Sequence, residues 1–184
     1  MEKLQIVNAL KKNIGNYTHI EREPIDEYSI DCLPLAVGKQ LVLIQYIYDF
    51  TFDGYKVLSL QDISNIKRSK VEKFFEKLIK DEGIYKQMTM PDLTCFDDWK
   101  GLIDELSKQN KNITIECENL EDRKFYLGKV VEIRDKCIKF LTFDALCVWK
   151  KRANIINYKD ITTITFDNMY STILSRYVTQ TIPK

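Results

Sequence analysis

Acid-base chemistry needs two titratable groups whose environments hold their pKa values apart. Three sets of carboxylates stand close along this chain: Asp97-Asp98, Glu116 with Glu118, and Glu121-Asp122. Closeness in sequence does not converge side chains across a fold, and each set has a simpler reading. Asp97 sits where a helix needs an N-cap and a negative charge, and the others fall on solvated strand and loop positions. Histidine, the usual base near neutral pH, occurs once, as His19 at the entrance to a strand beside Tyr17 and Thr18. No serine or cysteine stands in a glycine-flanked elbow that would present a nucleophile.

Five cysteines, Cys32, Cys95, Cys117, Cys137 and Cys147, occur singly. Tetrahedral zinc needs clustered cysteine and histidine ligands, so no metal site is expected. Cys137 and Cys147 fall among apolar residues of predicted strands, where cysteine acts as a small hydrophobe. An odd number of thiols fits reduced cysteines and a cytoplasmic location. Gly38-Lys39 and Gly128-Lys129 lack the flanking glycines and the strand-loop-helix context of a phosphate-binding loop. The expectation is a protein with no catalytic residue and no cofactor, which is not an enzyme.

One segment has binding character. Trp149 precedes Lys150, Lys151 and Arg152 at the predicted tip of a hairpin. A cationic tip beside an aromatic ring has the parts to contact phosphates and stack on a base. The same residues also suit a solvated loop whose Trp folds back on the protein.

The elements that position these residues occur twice. Gly38-Lys39-Gln40 aligns with Arg134-Asp135-Lys136, each followed by an apolar run, Leu41–Ile47 or Cys137–Phe143. Val42 and Asp62 are then 20 positions apart, and Ile138 and Asp160 are 22 apart, a difference that a hairpin tip absorbs cheaply. Val57-Leu58 aligns with Ile155-Ile156, and Asp62-Ile63-x-x-Ile66 with Asp160-Ile161-x-x-Ile164. Asp53-Gly54 gives the first copy a short hairpin turn, whereas the second returns through the longer basic tip. Each copy predicts about five antiparallel strands, the first at Ile20–Glu23 or Ile113–Cys117. Helices flank them, at Glu2–Asn13 with Leu4, Val7 and Leu10 on one face, Ser69–Lys80, Asp97–Gln109 and Asp167–Tyr177.

The fold class expected is therefore α+β, mainly β: two small antiparallel barrels, each flanked by an N-terminal and a C-terminal helix. The units span 1–82 and 96–184, joined by a connector at 83–95 that holds a Gly, a Pro and mixed polar residues. With 28 Lys and Arg against 27 Asp and Glu, the net charge of +1 gives no global field to recruit nucleic acid or membrane. No apolar run approaches the roughly 20 residues that span a bilayer, and the charged first helix does not read as a secretory signal.

A helix, turn-linked second and third strands, and a return strand ending in Asp-Ile-x-x-Ile resemble the Sm-like (SH3-like) fold. The chain is also similar to uncharacterised bacterial proteins with tandem Sm-like units, through segments such as Leu41–Tyr46 and Asp53-Gly54-Tyr55. Sm proteins read RNA with an Asp-x-x-x-Asn-like loop and an Arg-Gly or Lys-Gly pair. The corresponding segments here are Asp62-Ile63-Ser64-Asn65 and Asp160-Ile161-Thr162-Thr163. RNA binding of that type is not expected, and the function read from the sequence is protein-protein interaction. The alternatives are an RNA-binding protein using the basic tip, and an inhibitor or immunity-type protein.

Overall fold

The computed structural model describes residues 1–23 and 25–178; residues 179–184 of the second predicted unit lie outside the described residues. The first half comprises α1 (Lys3–Lys12), β1 (Thr18–Glu21), β2 (Ile30–Val37), β3 (Leu41–Tyr48), β4 (Thr51–Ser59), β5 (Asn65–Lys67) and α2 (Lys70–Asp81). The second comprises α3 (Trp99–Lys108), β6 (Ile113–Cys117), β7 (Lys124–Ile133), β8 (Cys137–Thr142), β9 (Asn154–Asn157), β10 (Thr163–Phe166) and α4 (Met169–Tyr177). A one-turn 3-10 helix, Leu60–Asp62 or Tyr158–Asp160, precedes the last strand of each half.

All ten strands belong to one antiparallel sheet, ordered β5-β1-β2-β3-β4-β10-β6-β7-β8-β9. The repeat survives in that order, since β5-β1-β2-β3-β4 and β10-β6-β7-β8-β9 follow the same path. The expectation of two barrels is overturned. Closing a barrel would require the fourth strand of a half to pair with that half's own fifth strand. Here β4 pairs with β10 across the halves, with Leu58 opposite Thr163, Val57 opposite Ile164, Lys56 opposite Thr165 and Tyr55 opposite Phe166. The pairing satisfies two strand edges at once. It also sets an apolar row side by side on the face that packs into the shared core: Val57 and Ile164 are fully buried there, and Tyr55 stacks on Phe166 with ring centroids 5.2 Å apart.

The core follows the junction. Trp99, Leu102, Ile103 and Leu106 of α3 join a cluster drawn from both halves, including Leu43 and Val57 from one and Ile115 and Phe166 from the other. A separate cluster lies under α1, where Ile6 and Leu10 meet Ile20, Val42, Leu58 and Leu60. Leu4, expected on the buried face of that helix, is exposed. Ser69 caps α2 by accepting the Val71 N–H at 3.1 Å, and Glu72 reaches back to the Ser69 N–H, completing a capping box. Asp98, one residue beyond the expected cap, accepts the Gly101 N–H at 2.8 Å and starts α3.

Two turns differ from expectation. The β3-β4 hairpin turns at Asp49-Phe50, with φ of 44° and 63°, and Asp53-Gly54 lies inside β4 beside a register shift. Gly54 is needed there for another reason: at φ 70° its backbone approaches α4 so closely that a Cβ would lie 2.4 Å from the Asn168 nitrogen. Asp53 accepts the Met169 N–H at 2.7 Å, so this Asp-Gly pair meets the start of a helix from the other half. In the second half the chain reverses at Asp144, whose Oδ1 accepts the N–H groups of Leu146 and Val148 at 2.9 and 3.1 Å. Cys147, expected in a strand, sits in this turn at φ 58°.

Candidate functional site

The basic segment is not a hairpin tip. With the reversal at Asp144, Trp149 lies on the returning arm, paired in an isolated bridge with Phe143. Its indole is buried edge-on against Phe143, ring centroids 5.3 Å apart at 89°, in a small cluster with Leu127 and Leu141. An interior edge-to-face pair of this kind is packing, so the expected stacking partner for a base is buried. Lys150, Lys151 and Arg152 are exposed, and the Lys150 N–H donates to the Thr142 carbonyl at 2.9 Å. They form a bend that delivers the chain directly into β9.

β9 ends the sheet. Among the described residues it pairs with β8 alone, through Cys137 opposite Asn157 to Phe140 opposite Asn154. Its counterpart by the sequence repeat is the part of β4 that pairs with β10. The two strands carry the same apolar pair, Val57-Leu58 and Ile155-Ile156; Leu58 is buried in the cluster under α1 and Ile156 in the core shared by both halves. The other members differ in what covers their face: Val57 lies in the core shared by both halves under α3 and is 0% exposed, whereas Ile155, opposite the half-buried Lys139, is 62% exposed on an open face. Each edge strand offers a row of backbone donors and acceptors. On β4 the row is taken by β10, and on β9 the same row borders an uncovered isoleucine and three cations.

A second polar grouping ties the halves together. Arg22, 3% exposed, follows β1 and donates to both oxygens of Glu118, at 2.8 and 3.0 Å, and to the Thr163 hydroxyl at 2.8 Å. The Thr162 and Thr163 hydroxyls lie 2.7 and 3.0 Å from Glu118 Oε2. Asn119 donates to Asp62 at 3.2 Å, again across the halves. Burial pushes the Glu118 carboxyl up, but the Arg22 hydrogen bonds and charge with the two hydroxyls outweigh it and hold the group below its ordinary value. Burial raises Glu116 and Asp62, only partly offset by Lys56 and Arg22 for Glu116 and by Asn119 and Arg22 for Asp62. Carboxylates with separated pKa values are a mark of acid-base sites; here they pack into the β4-β10 junction around a salt bridge, which makes them a clamp.

That clamp has a pH signature. A carboxyl whose folded pKa lies below its unfolded value adds stability above the unfolded value and loses it as pH falls through the folded one. Arg22→Met strands the Glu118 carboxylate, and protonation then relieves it. The unfolded carboxyl is common to both forms and cancels, so the stability gap between wild type and Arg22→Met is expected to shrink as pH falls from above the ordinary carboxylate value, where the stranded buried group takes up its proton, down to the lowered value that Arg22 maintains in wild type. Urea melts at a series of pH values would show it, and a gap that stays constant would exclude this role for the pair.

The other sequence candidates are distributed elsewhere. Asp97 pairs with Lys39 at 2.6 Å, and Glu121 and Asp122 are exposed. His19 lies in β1 between Asp31 and Glu72, with Nδ1 3.1 Å from Glu72 Oε1. All five cysteines are free thiols, and burial pushes Cys117 up to about 12. A cleft of about 700 Å³ is open and lined by Gln40, Ser59, Asp98, Lys100, Asp135 and Tyr158, where Asp98 caps α3 and Asp135 pairs with Lys100. No helix among the described residues is long and apolar enough to cross a membrane. The chain matches no protein-family model, no curated protein and no solved structure.

Proposed function

We propose that this is a non-catalytic binding protein that works by protein-protein contact, and that the outer edge of β9 is its contact strand. The observation that carries the reading is the contrast between two equivalent strands: the outer edge of β4 is paired by β10, whereas β9 pairs, among the described residues, with β8 alone and is entered from three exposed cations. The first half defines what belongs on such an edge, an antiparallel strand with a β-branched residue opposite the valine. A partner protein that supplies a strand by β-augmentation fills the same role on β9. A second exposed apolar surface supports protein contact as well: Met169, Tyr170, Ile173 and Tyr177 along α4, with Phe125 at 6.3 Å from Tyr170.

The test is affinity capture from the native host with wild type and Ile155→Lys side by side. A lysine on an edge strand keeps its stem packed and makes the edge hostile to further pairing. A defined protein retained stoichiometrically by wild type and lost from Ile155→Lys, with an unchanged unfolding midpoint, supports the reading. Identical protein sets from both forms would remove β9 from it, and capture of nucleic acid alone would replace it.

A further inference from the structure

We infer that the partner of β9 is an extended acidic segment of another protein, added antiparallel, with an apolar β-branched residue opposite Ile155 and carboxylates at its C-terminal end beside Lys151 and Arg152. The inference rests on the β9 reading above and specifies its ligand.

Direction and register come from the equivalent junction. β10 runs antiparallel to β4, so its residues from Thr163 to Phe166 pass Leu58, Val57, Lys56 and Tyr55 in turn. Transferred to β9 through the repeat, an incoming strand passes Ile156, Ile155, Asn154 and Ala153. Its second residue then faces Ile155, as Ile164 faces Val57. The strand's continuation arrives at Arg152 and then Lys151.

Charge selects the chemistry of that continuation. In the first half the same two positions are Gly54 and Asp53, and Asp53 accepts the N–H of Met169 at the start of α4. A positive helix terminus is thus met by a carboxylate. In the second half the positions are Arg152 and Lys151, exposed beside Lys150. The sign of the site is inverted, and what complements it is acidic.

The same inversion disfavours a second copy of this chain as the occupant. The strand equivalent to β10 is β5, which continues as Lys67, Arg68 and, after the Ser69 cap, Lys70 at the N-terminus of α2. Laid on β9 as β10 lies on β4, that segment would bring cations and a positive helix terminus against Lys151 and Arg152. Gly54, whose missing Cβ admits Asn168, is replaced by an arginine on the β9 side. The β4-β10 contact therefore forms within one chain, and β9 is reserved for a strand of opposite charge.

The experiment uses fluorescein-labelled peptides built on the β10 sequence TITF. TITFDEDE is the acidic probe, TITFKRKR the basic one, and TGTGDEDE lacks the apolar residue. Fluorescence anisotropy with the full-length protein is expected to show binding of TITFDEDE, with at least tenfold weaker binding of each of the others. Reversing all three cations to glutamate should weaken TITFDEDE by about tenfold or more, since exposed pairs each contribute modestly and tenfold is about 1.4 kcal/mol. Ile155→Lys should lose the probe while retaining the wild-type unfolding midpoint.

Equal binding of TITFDEDE and TITFKRKR, both lost in Ile155→Lys, would overturn the acidic partner and leave the edge reading intact. No binding of any peptide, together with captured proteins unaffected by Ile155→Lys, would overturn both. Concentration-dependent self-association in sedimentation, abolished by Ile155→Lys, would put a second copy on β9 instead. Binding of single-stranded RNA that depends on the three cations, with no peptide bound, would assign the basic bend to nucleic acid.

Discussion

Replacing Arg22 with alanine is expected to lower the stability of the folded chain by about 3 to 5 kcal/mol, the usual result of removing one member of a buried ion pair. The guanidinium is 3% exposed and grips Glu118 with two hydrogen bonds. Its loss leaves a carboxylate at the β4-β10 junction with two hydroxyls and no cation. A stability of 5 to 15 kcal/mol is typical of a domain, so the loss is a large fraction of the whole. Glu23, which occupies the position of Glu118 in the first repeat, is exposed and forms no ion pair among the described residues. Glu23→Ala should stay within about 0.5 kcal/mol of wild type. Urea denaturation measures both, and a small effect of Arg22→Ala would mean that the halves are not clamped at this point.

Ile164→Ala is expected to cost about 2 to 5 kcal/mol, through lost transfer energy and the cavity left behind. Ile164 is 0% exposed, lies opposite Val57 and sits in the core shared by both halves. Ile155→Ala removes the same atoms from a side chain that is 62% exposed, and is expected to change stability by no more than about 0.5 kcal/mol. The pair of variants separates a covered sheet face from an open one within one protein. Similar losses at the two positions would show that Ile155 is covered.

The repeat was legible because its signals are local. Alternating apolar runs, the paired Asp-Ile-x-x-Ile segments and the amphipathic helices each fix a few neighbouring residues, and the strands fell close to where they were expected. What joins the halves was not legible. Arg22 and Glu118 are 96 positions apart, and nothing near either residue announces the other. The choice between closing a barrel and pairing β4 with β10 depends on which edge meets which, and strand periodicity is blind to it. Asp53-Gly54 carried the strongest hairpin signal in the first half and was misread, because Asp49-Phe50 adopts the positive φ values without a glycine and Gly54 serves the approach of α4.

The end strand β9 was half visible. Trp149 to Arg152 drew attention as a basic aromatic cluster, but the order of the chain hides that Trp149 turns inward to Phe143 while the cations lead into β9. The useful signal was the alignment of Ile155 with Val57, which predicts a like environment. Only the structure shows that the environments differ, with Val57 in the core under α3 and Ile155 on an open face.

Backbone amide hydrogen exchange, resolved by NMR on the free protein, tests most directly whether β9 is the open counterpart of β4. Outward amides of β4 between Tyr55 and Leu58 should exchange slowly, because β10 pairs with them, whereas the amides of Ala153 to Ile156 that face away from β8 should exchange at rates near those of an exposed strand edge. Slow exchange at both would show that β9 is already paired, and fast exchange at both would show that the two halves do not form one sheet.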